Sequence, residues 1–242
     1  MKGFQSTVLA MLVALPVVGS AAAAETNVTW KSSVSLGATA KSGNTDKTLY
    51  TMNLKGGRYA PKSDLISSLY GEYGETEDEQ TEGLLRGQSN YRYKFGSQNW
   101  YGGAFVEVYH NDLKKIRYRV KSGPSFGYYF LNTEALKLDV SGGINYVRER
   151  TSEGETDFAE YRVAGNVLWD ISATASYYLN LEYTANVEDV SDGSGLLVTG
   201  LKSKVNEDLS IFVELRDDYD NKPPAGVSDN DRTLTAGLAY DF

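Results

Sequence analysis

Read two residues at a time, Thr233–Phe242 places Leu234, Ala236, Leu238, Tyr240 and Phe242 on one face. The other face carries Thr233, Thr235, Gly237, Ala239 and Asp241. A period of two is that of a strand, with one apolar and one polar or small side. The same alternation returns from Trp30 onward without one convincing helical stretch. It predicts strands over about 29–41, 47–59, 65–73, 85–95, 100–109, 116–130, 135–147, 158–169, 173–187, 196–205 and 209–216, with the C-terminal stretch as the twelfth. The segment 196–205 fits least well, because Leu196 and Val198 share a parity with Lys202 and Lys204. A kink near Gly200 or a register shifted by one residue would account for it.

The connections alternate in length. Short ones at 60–64, 96–99, 131–134, 170–172 and 206–208 are interleaved with longer polar ones at 42–46, 75–83, 110–115, 148–157, 188–195 and 217–231. An even strand count with brief turns on one side and long loops on the other is the pattern of a bacterial outer-membrane barrel. The predicted fold is therefore all-β: a transmembrane antiparallel up-and-down β-barrel of about twelve strands, with short periplasmic turns and longer extracellular loops.

Which face points inward follows from cost, since a Lys or Arg facing lipid near mid-membrane costs a barrel about 2–4 kcal/mol. The face opposite the apolar one carries Arg92, Lys94, Glu107, Arg117, Arg119, Lys121, Asp139, Glu160, Arg162, Glu182, Glu214 and Arg216, with Lys55, Arg86 and Lys137. So many charges cannot make a dry core unless nearly all are paired. A water-filled or ion-paired lumen suits them, and the apolar face is left for lipid.

The N-terminus agrees. Met1-Lys2, an apolar run from Val8 to Val18 and the small residues Gly19–Ala24 read as a secretory signal peptide over residues 1–24, cleaved between Ala24 and Glu25, with the barrel domain over 25–242. Beyond residue 24 no apolar run is long enough for a spanning helix. The chain has no cysteine for a disulfide, and its net charge of −8 without a basic run argues against nucleic acid as a partner. Tyr outnumbers Phe and Trp, which suits rings placed at an interface.

Candidate chemistry is sparse. Arg117, Arg119 and Lys121 on one strand, with Arg92 and Lys94 expected nearby, point to an anion-favouring pore lining. The competing expectation is that these groups pair with Glu107, Asp139, Glu160, Glu182 and Glu214 and fill the bore. The sole histidine, His110, lies at a strand end with no signature of an activated serine near it in sequence, so a lipid hydrolase is the weaker alternative and no catalytic residue is expected. Acidic stretches at 75–79, 188–192, 217–220 and 229–231 are rich in oxygen ligands but lack EF-hand spacing, so no metal or other cofactor is expected. An adhesin or receptor presenting these stretches is a further alternative.

Two resemblances add to this reading. Thr235, Gly237, Tyr240 and Phe242 resemble the C-terminal signal by which outer-membrane barrels are passed to their assembly machinery. Ser35-Leu36-Gly37, Ser42–Asp46 and Leu49-Tyr50-Thr51 resemble the opening of a family of uncharacterised bacterial proteins named as salt-induced outer-membrane proteins. The resemblances imply a salt-induced, monomeric barrel in the outer membrane of a Gram-negative cell, with lipid, lipopolysaccharide and the assembly machinery as its partners. The function that follows is structural or that of a narrow passive channel.

Overall fold

The computed structural model describes residues 28–41, 47–76, 79–96, 99–112, 114–223 and 228–242. The signal-peptide and cleavage expectations (residues 1–24; Ala24, Glu25), the connection 42–46 and its share of the family resemblance lie outside them.

Twelve strands follow one another: β1 (Thr29–Lys41), β2 (Lys47–Tyr59), β3 (Ser63–Thr76), β4 (Glu79–Lys94), β5 (Trp100–Asn111), β6 (Ile116–Asn132), β7 (Leu136–Thr151), β8 (Glu155–Asp170), β9 (Ala175–Asn186), β10 (Gly193–Lys204), β11 (Leu209–Asp220) and β12 (Asn230–Asp241). Each pairs antiparallel with its neighbours in sequence, and β1 pairs with β12, so the sheet is a closed barrel with no free edge. The closing seam is the shortest. Among the described residues β1 meets β12 from Ser33 to Ala38, whereas β1 and β2 pair from Thr29 to Lys41. Phe242 N donates to Ser32 O at 2.9 Å, and Ser32 N to Phe242 O at 3.1 Å, which ties the chain end to the first strand.

The alternation sorts side chains as the pattern predicts. Leu36, Val163, Leu181, Leu234 and Leu238 are all more than half exposed on the outer face, while Thr235, Glu160, Arg162 and Arg216 on the opposite parity are buried. At the short-turn end of the outer face Phe126, Trp100, Tyr128 and Phe130 form a chain of ring contacts with centroids 4.7–5.1 Å apart. Tyr240 and Phe242 stack at 6.2 Å. No helix among the described residues is long and apolar enough to cross a membrane.

Three expectations need correction. First, the loops at one end are shorter than the polarity of the sequence suggests, because the strands run on into them: β7 reaches Thr151 and β8 starts at Glu155, β3 reaches Thr76 and β4 starts at Glu79, and β11 reaches Asp220. Charges directly opposite each other keep these extensions paired. Arg148 Nε donates to Asp157 at 2.8 Å and Arg232 Nε to Asp217 at 2.9 Å. Second, β10 has no break at Gly200. Its register against both neighbours is continuous, and Leu196, Val198, Lys202 and Lys204 all line the lumen, so two apolar side chains simply face inward. Third, Arg117 is not a lumen residue. Ile116 pairs with Thr151 and Tyr118 with Arg150, which leaves Arg117 as the extra residue of a β-bulge with its side chain exposed.

Candidate functional site: a vestibule ending at an ion-paired septum

The interior is uneven. On the wall of β5 and β7 it is filled: Tyr101, Phe105, Glu107, Asn145 and Val147 are completely enclosed. Elsewhere, from the short-turn end inward, lies a cavity of about 1100 Å³ whose lining runs from Trp30, Thr174, Asp208 and Phe242 at the mouth to Arg86, Arg162, Glu182 and Arg216 at its floor. Beyond that floor, toward the opposite end, the described residues enclose a pocket of about 40 Å³, lined by Glu107, Tyr109, Arg119, Lys121 and Asp218 among others.

The floor is a septum of charges drawn from strands all round the barrel. Arg86 on β4 is its centre. Its Nε donates to Glu107 at 2.7 Å, its Nη2 reaches Glu182 at 3.1 Å, and its Nη1 lies 4.0 Å from Asp218. Glu107 also accepts from Gln88 at 2.7 Å, and Glu182 takes a second cation, Arg162, at 2.7 Å. Asp218 is shared with Arg216 at 2.6 Å. Arg162 and Arg216 in turn lie over aromatic rings, Phe105 at 4.1 Å and Tyr70 at 4.4 Å. Cations and carboxylates matched in this way satisfy their buried hydrogen-bonding capacity without water, the condition under which buried charge persists.

Each expected lining residue has a definite place. Arg92, Lys94, Asp139, Arg162, Glu182, Glu214 and Arg216 line the large cavity, while Glu107, Arg119 and Lys121 line the small pocket. Glu160 is buried between Lys121, at 2.9 Å, and the amide of Asn145, at 3.0 Å. Arg92 and Lys94 are not neighbours of Arg119 and Lys121 but sit toward the other end, because β4 and β6 run antiparallel to β5 between them. Nor are the arginines and lysines of that expected cluster bare. Arg92 reaches Asp139 at 3.4 Å, Lys94 reaches Asp64 at 2.7 Å and Arg119 is paired with Glu149.

Two of the cations outside this pairing have an aromatic partner instead. Lys55 of β2 extends across the bore to the ring of Tyr178 on β9, with Nζ 5.1 Å from its centroid, and Lys137 of β7 reaches the ring of Tyr59 on β2 at 5.6 Å. Neither forms an ion pair among the described residues. Glu214, a carboxylate of the same wall as Tyr178, accepts the phenol hydrogen of that tyrosine at 2.7 Å. Arg86, Asp218, Lys55 and Lys137 are thus the residues that sequence reasoning underweighted. Asp218 falls in an acidic run that reads as loop, and the distinction of Lys55 and Lys137 lies in what they lack.

The alternative chemistries find little support in the geometry. His110 directs Nδ1 at the carbonyl of Arg117, 2.9 Å away, and Nε2 at Asp112, 3.2 Å away; among the described residues no serine hydroxyl bonds to it. No group of three or more His, Asp or Glu among the described residues is placed to hold a metal. Within the acidic stretches three carboxylates are paired with cations: Asp189 with Lys222, Asp220 with Lys114 at 3.6 Å and Asp217 with Arg232.

Comparison with solved structures agrees with the architecture. The chain is similar to the NanC porin, with a TM-score of 0.58 at 13% identity over 86% of this chain and 98% of that one. It is also similar to an outer-membrane channel from Pseudomonas putida F1, with a TM-score of 0.52 at 12% identity over 89% and 95% of the two chains. At such identities the likeness is one of fold. No curated protein sequence gives a significant match. A family model covers residues 34–242, nearly all of the barrel, and the chain belongs to that family, described as "Protein of unknown function, DUF481".

Proposed function

We propose that the protein is an integral outer-membrane β-barrel, exported by its first 24 residues, that acts as a narrow passive channel with a mild preference for anions and is held shut in this structure by the Arg86 septum. The observation that carries the reading is the inversion of the usual protein plan: large apolar side chains such as Leu36, Val163 and Leu238 clothe the outside while a charged cavity occupies the inside. Only a bilayer rewards that arrangement, since in water the apolar face would be buried. The ring cluster around Trp100 and the Tyr240–Phe242 pair then sit at the periplasmic boundary, where aromatic girdles form. The cavity opens toward the periplasm. As a single copy, the barrel meets lipid on its outer face and lipopolysaccharide on its charged strand extensions.

Planar-bilayer recording tests the channel. Replacing Arg86 and Glu107 together by alanine removes both members of the central pair, while Glu182 keeps Arg162 and Asp218 keeps Arg216. Removing both partners avoids the penalty of an orphaned charge. Stepwise conductance well above that of the parent protein is expected; a double variant that inserts and stays silent leaves only a structural role. Reversal potential in a salt gradient reads the ion preference.

Thr235, Gly237, Tyr240 and Phe242 are assigned to recognition by the assembly machinery. A reduced outer-membrane yield for Phe242→Ala, with refolding in detergent unchanged, supports that assignment. Induction by salt, the further implication of the family resemblance, is read from protein level at raised osmolarity.

A further inference from the structure

We infer that the vestibule is a binding site for a small, hydroxylated organic acid, with Lys55 and Lys137 as the groups that receive its carboxylate. The inference deepens the channel reading by naming what the cavity takes, and it uses that reading only to say from which side the ligand arrives.

The first support is the difference between these lysines and the ion-paired cations of the bore. Arg86, Arg92, Lys94, Arg162, Lys202 and Arg216 each have a carboxylate within 3.4 Å. Lys55 and Lys137 have a tyrosine face instead, a contact worth about 0.5–1 kcal/mol where water has access. An ammonium on a flexible four-carbon stem gives up such a contact readily for an anion. The two stems come from opposite walls and cross the cavity in opposite directions, β2 to β9 and β7 to β2, so a ligand entering from the mouth meets both.

The pairing seen elsewhere in the cavity sets the ligand's charge. Lys94 and Lys202 each hold a carboxylate, Asp64 and Asp241, at 2.7 Å, while Lys55 and Lys137 hold none and Glu214 is engaged by Tyr178. A carboxylate is therefore the partner that these two ammonium groups fit.

The wall chemistry sets the rest. Ser33, Ser35, Ser68 and Asn90 line the cavity with side chains that have no hydrogen-bond partner among the described residues. A row of free hydroxyls and an amide matches a ligand bearing several hydroxyls of its own. A cavity of about 1100 Å³ accommodates a molecule of that kind together with water.

The test is calorimetric titration of the full barrel, refolded in detergent, with gluconate. Sorbitol, equally hydroxylated and uncharged, is the control. Saturable gluconate binding in the millimolar range is expected, with none for sorbitol, and Lys55→Gln/Lys137→Gln should weaken it about tenfold or more. Neither lysine belongs to the septum, and heat-modifiable gel migration verifies that the variant is folded. If the double variant does not fold, the two single variants are read the same way, each expected to weaken binding about threefold. Equal binding of sorbitol, undiminished binding by the folded lysine variants, or no gluconate binding up to about 100 mM, an upper limit on useful affinity, overturns the assignment. Because binding in detergent does not require conductance, a silent bilayer alongside gluconate binding defeats the channel while leaving the site, and the reverse result defeats the site alone.

Discussion

The two ends of the lumen obey opposite rules. Toward the strand extensions, cations are held by carboxylates, several of them shared: Arg86 by Glu107 and Glu182, Lys121 by Glu160, Arg119 by Glu149, Arg162 by Glu182. Toward the short turns the bore widens, and Lys55 and Lys137 are left leaning on tyrosines. Both ends are built from the same alternating strands with charged inward residues. The difference lies in the partner across the bore. Where the ion pairs join into one network around Arg86 the lumen fills, and where they stand singly, as Lys94 with Asp64 and Lys202 with Asp241 do, it stays open.

The contrast can be broken most forcefully at the septum. Glu107→Gln keeps the shape but strands Arg86 in a buried position with only its weaker contacts to Glu182 and Asp218. A loss of about 3–5 kcal/mol in urea unfolding from lipid vesicles is expected, the cost of breaking a buried pair by removing one partner. Moving a charge to the other face comes next. Val163 lies mid-strand with 55% of its surface exposed, and Val163→Arg should cost about 2–4 kcal/mol in the same assay if that face meets lipid, and almost nothing if it meets water.

At the open end the same assay should barely respond. Lys137→Met forfeits a cation–π contact and leaves no orphan, so a change below about 1 kcal/mol is expected. A large loss there would mean that the vestibule is as tightly built as the septum.

The smallest effect is electrostatic and lies outside the barrel wall. Lys222, and then the hydroxyl and backbone NH of Ser191, hold the Asp189 carboxyl at about 2, below the ordinary aspartate range. A folded value depressed in this way stabilises the loop fully above the unfolded aspartate value, and the contribution disappears as pH falls through about 2. Amide shifts of Ser191 and Lys222 should therefore be constant from neutral pH to about 4 and change toward 2.

Strand number, order and most of the parity are legible from the chain, because a period of two with charges on one face has a single cheap solution in a bilayer. Tyr118 against Arg119, or Leu181 against Glu182, carries that information in two adjacent letters. Two features are not legible. Polar content does not distinguish a loop from a strand that extends into water under cross-strand ion pairs, so Asp218 reads as loop and is found at the septum. A bulge is equally silent, and one extra residue on β6 was enough to turn Arg117 outward while Arg119 stayed in. The open and closed halves of the bore were likewise out of reach, since whether Arg92 or Lys55 finds a carboxylate depends on strands that lie far apart in the chain.

The brevity of the β1–β12 contact has a consequence for how the cylinder comes apart. With Ser33–Ala38 as its ladder, this is the zipper with the fewest teeth, so thermal rupture should begin there and travel outward into neighbouring hairpins. Amide protons of Ser35 and Leu238 would then exchange before those in the middle of β7, and a cross-link pinning the two chain ends together would slow the loss of the entire wall.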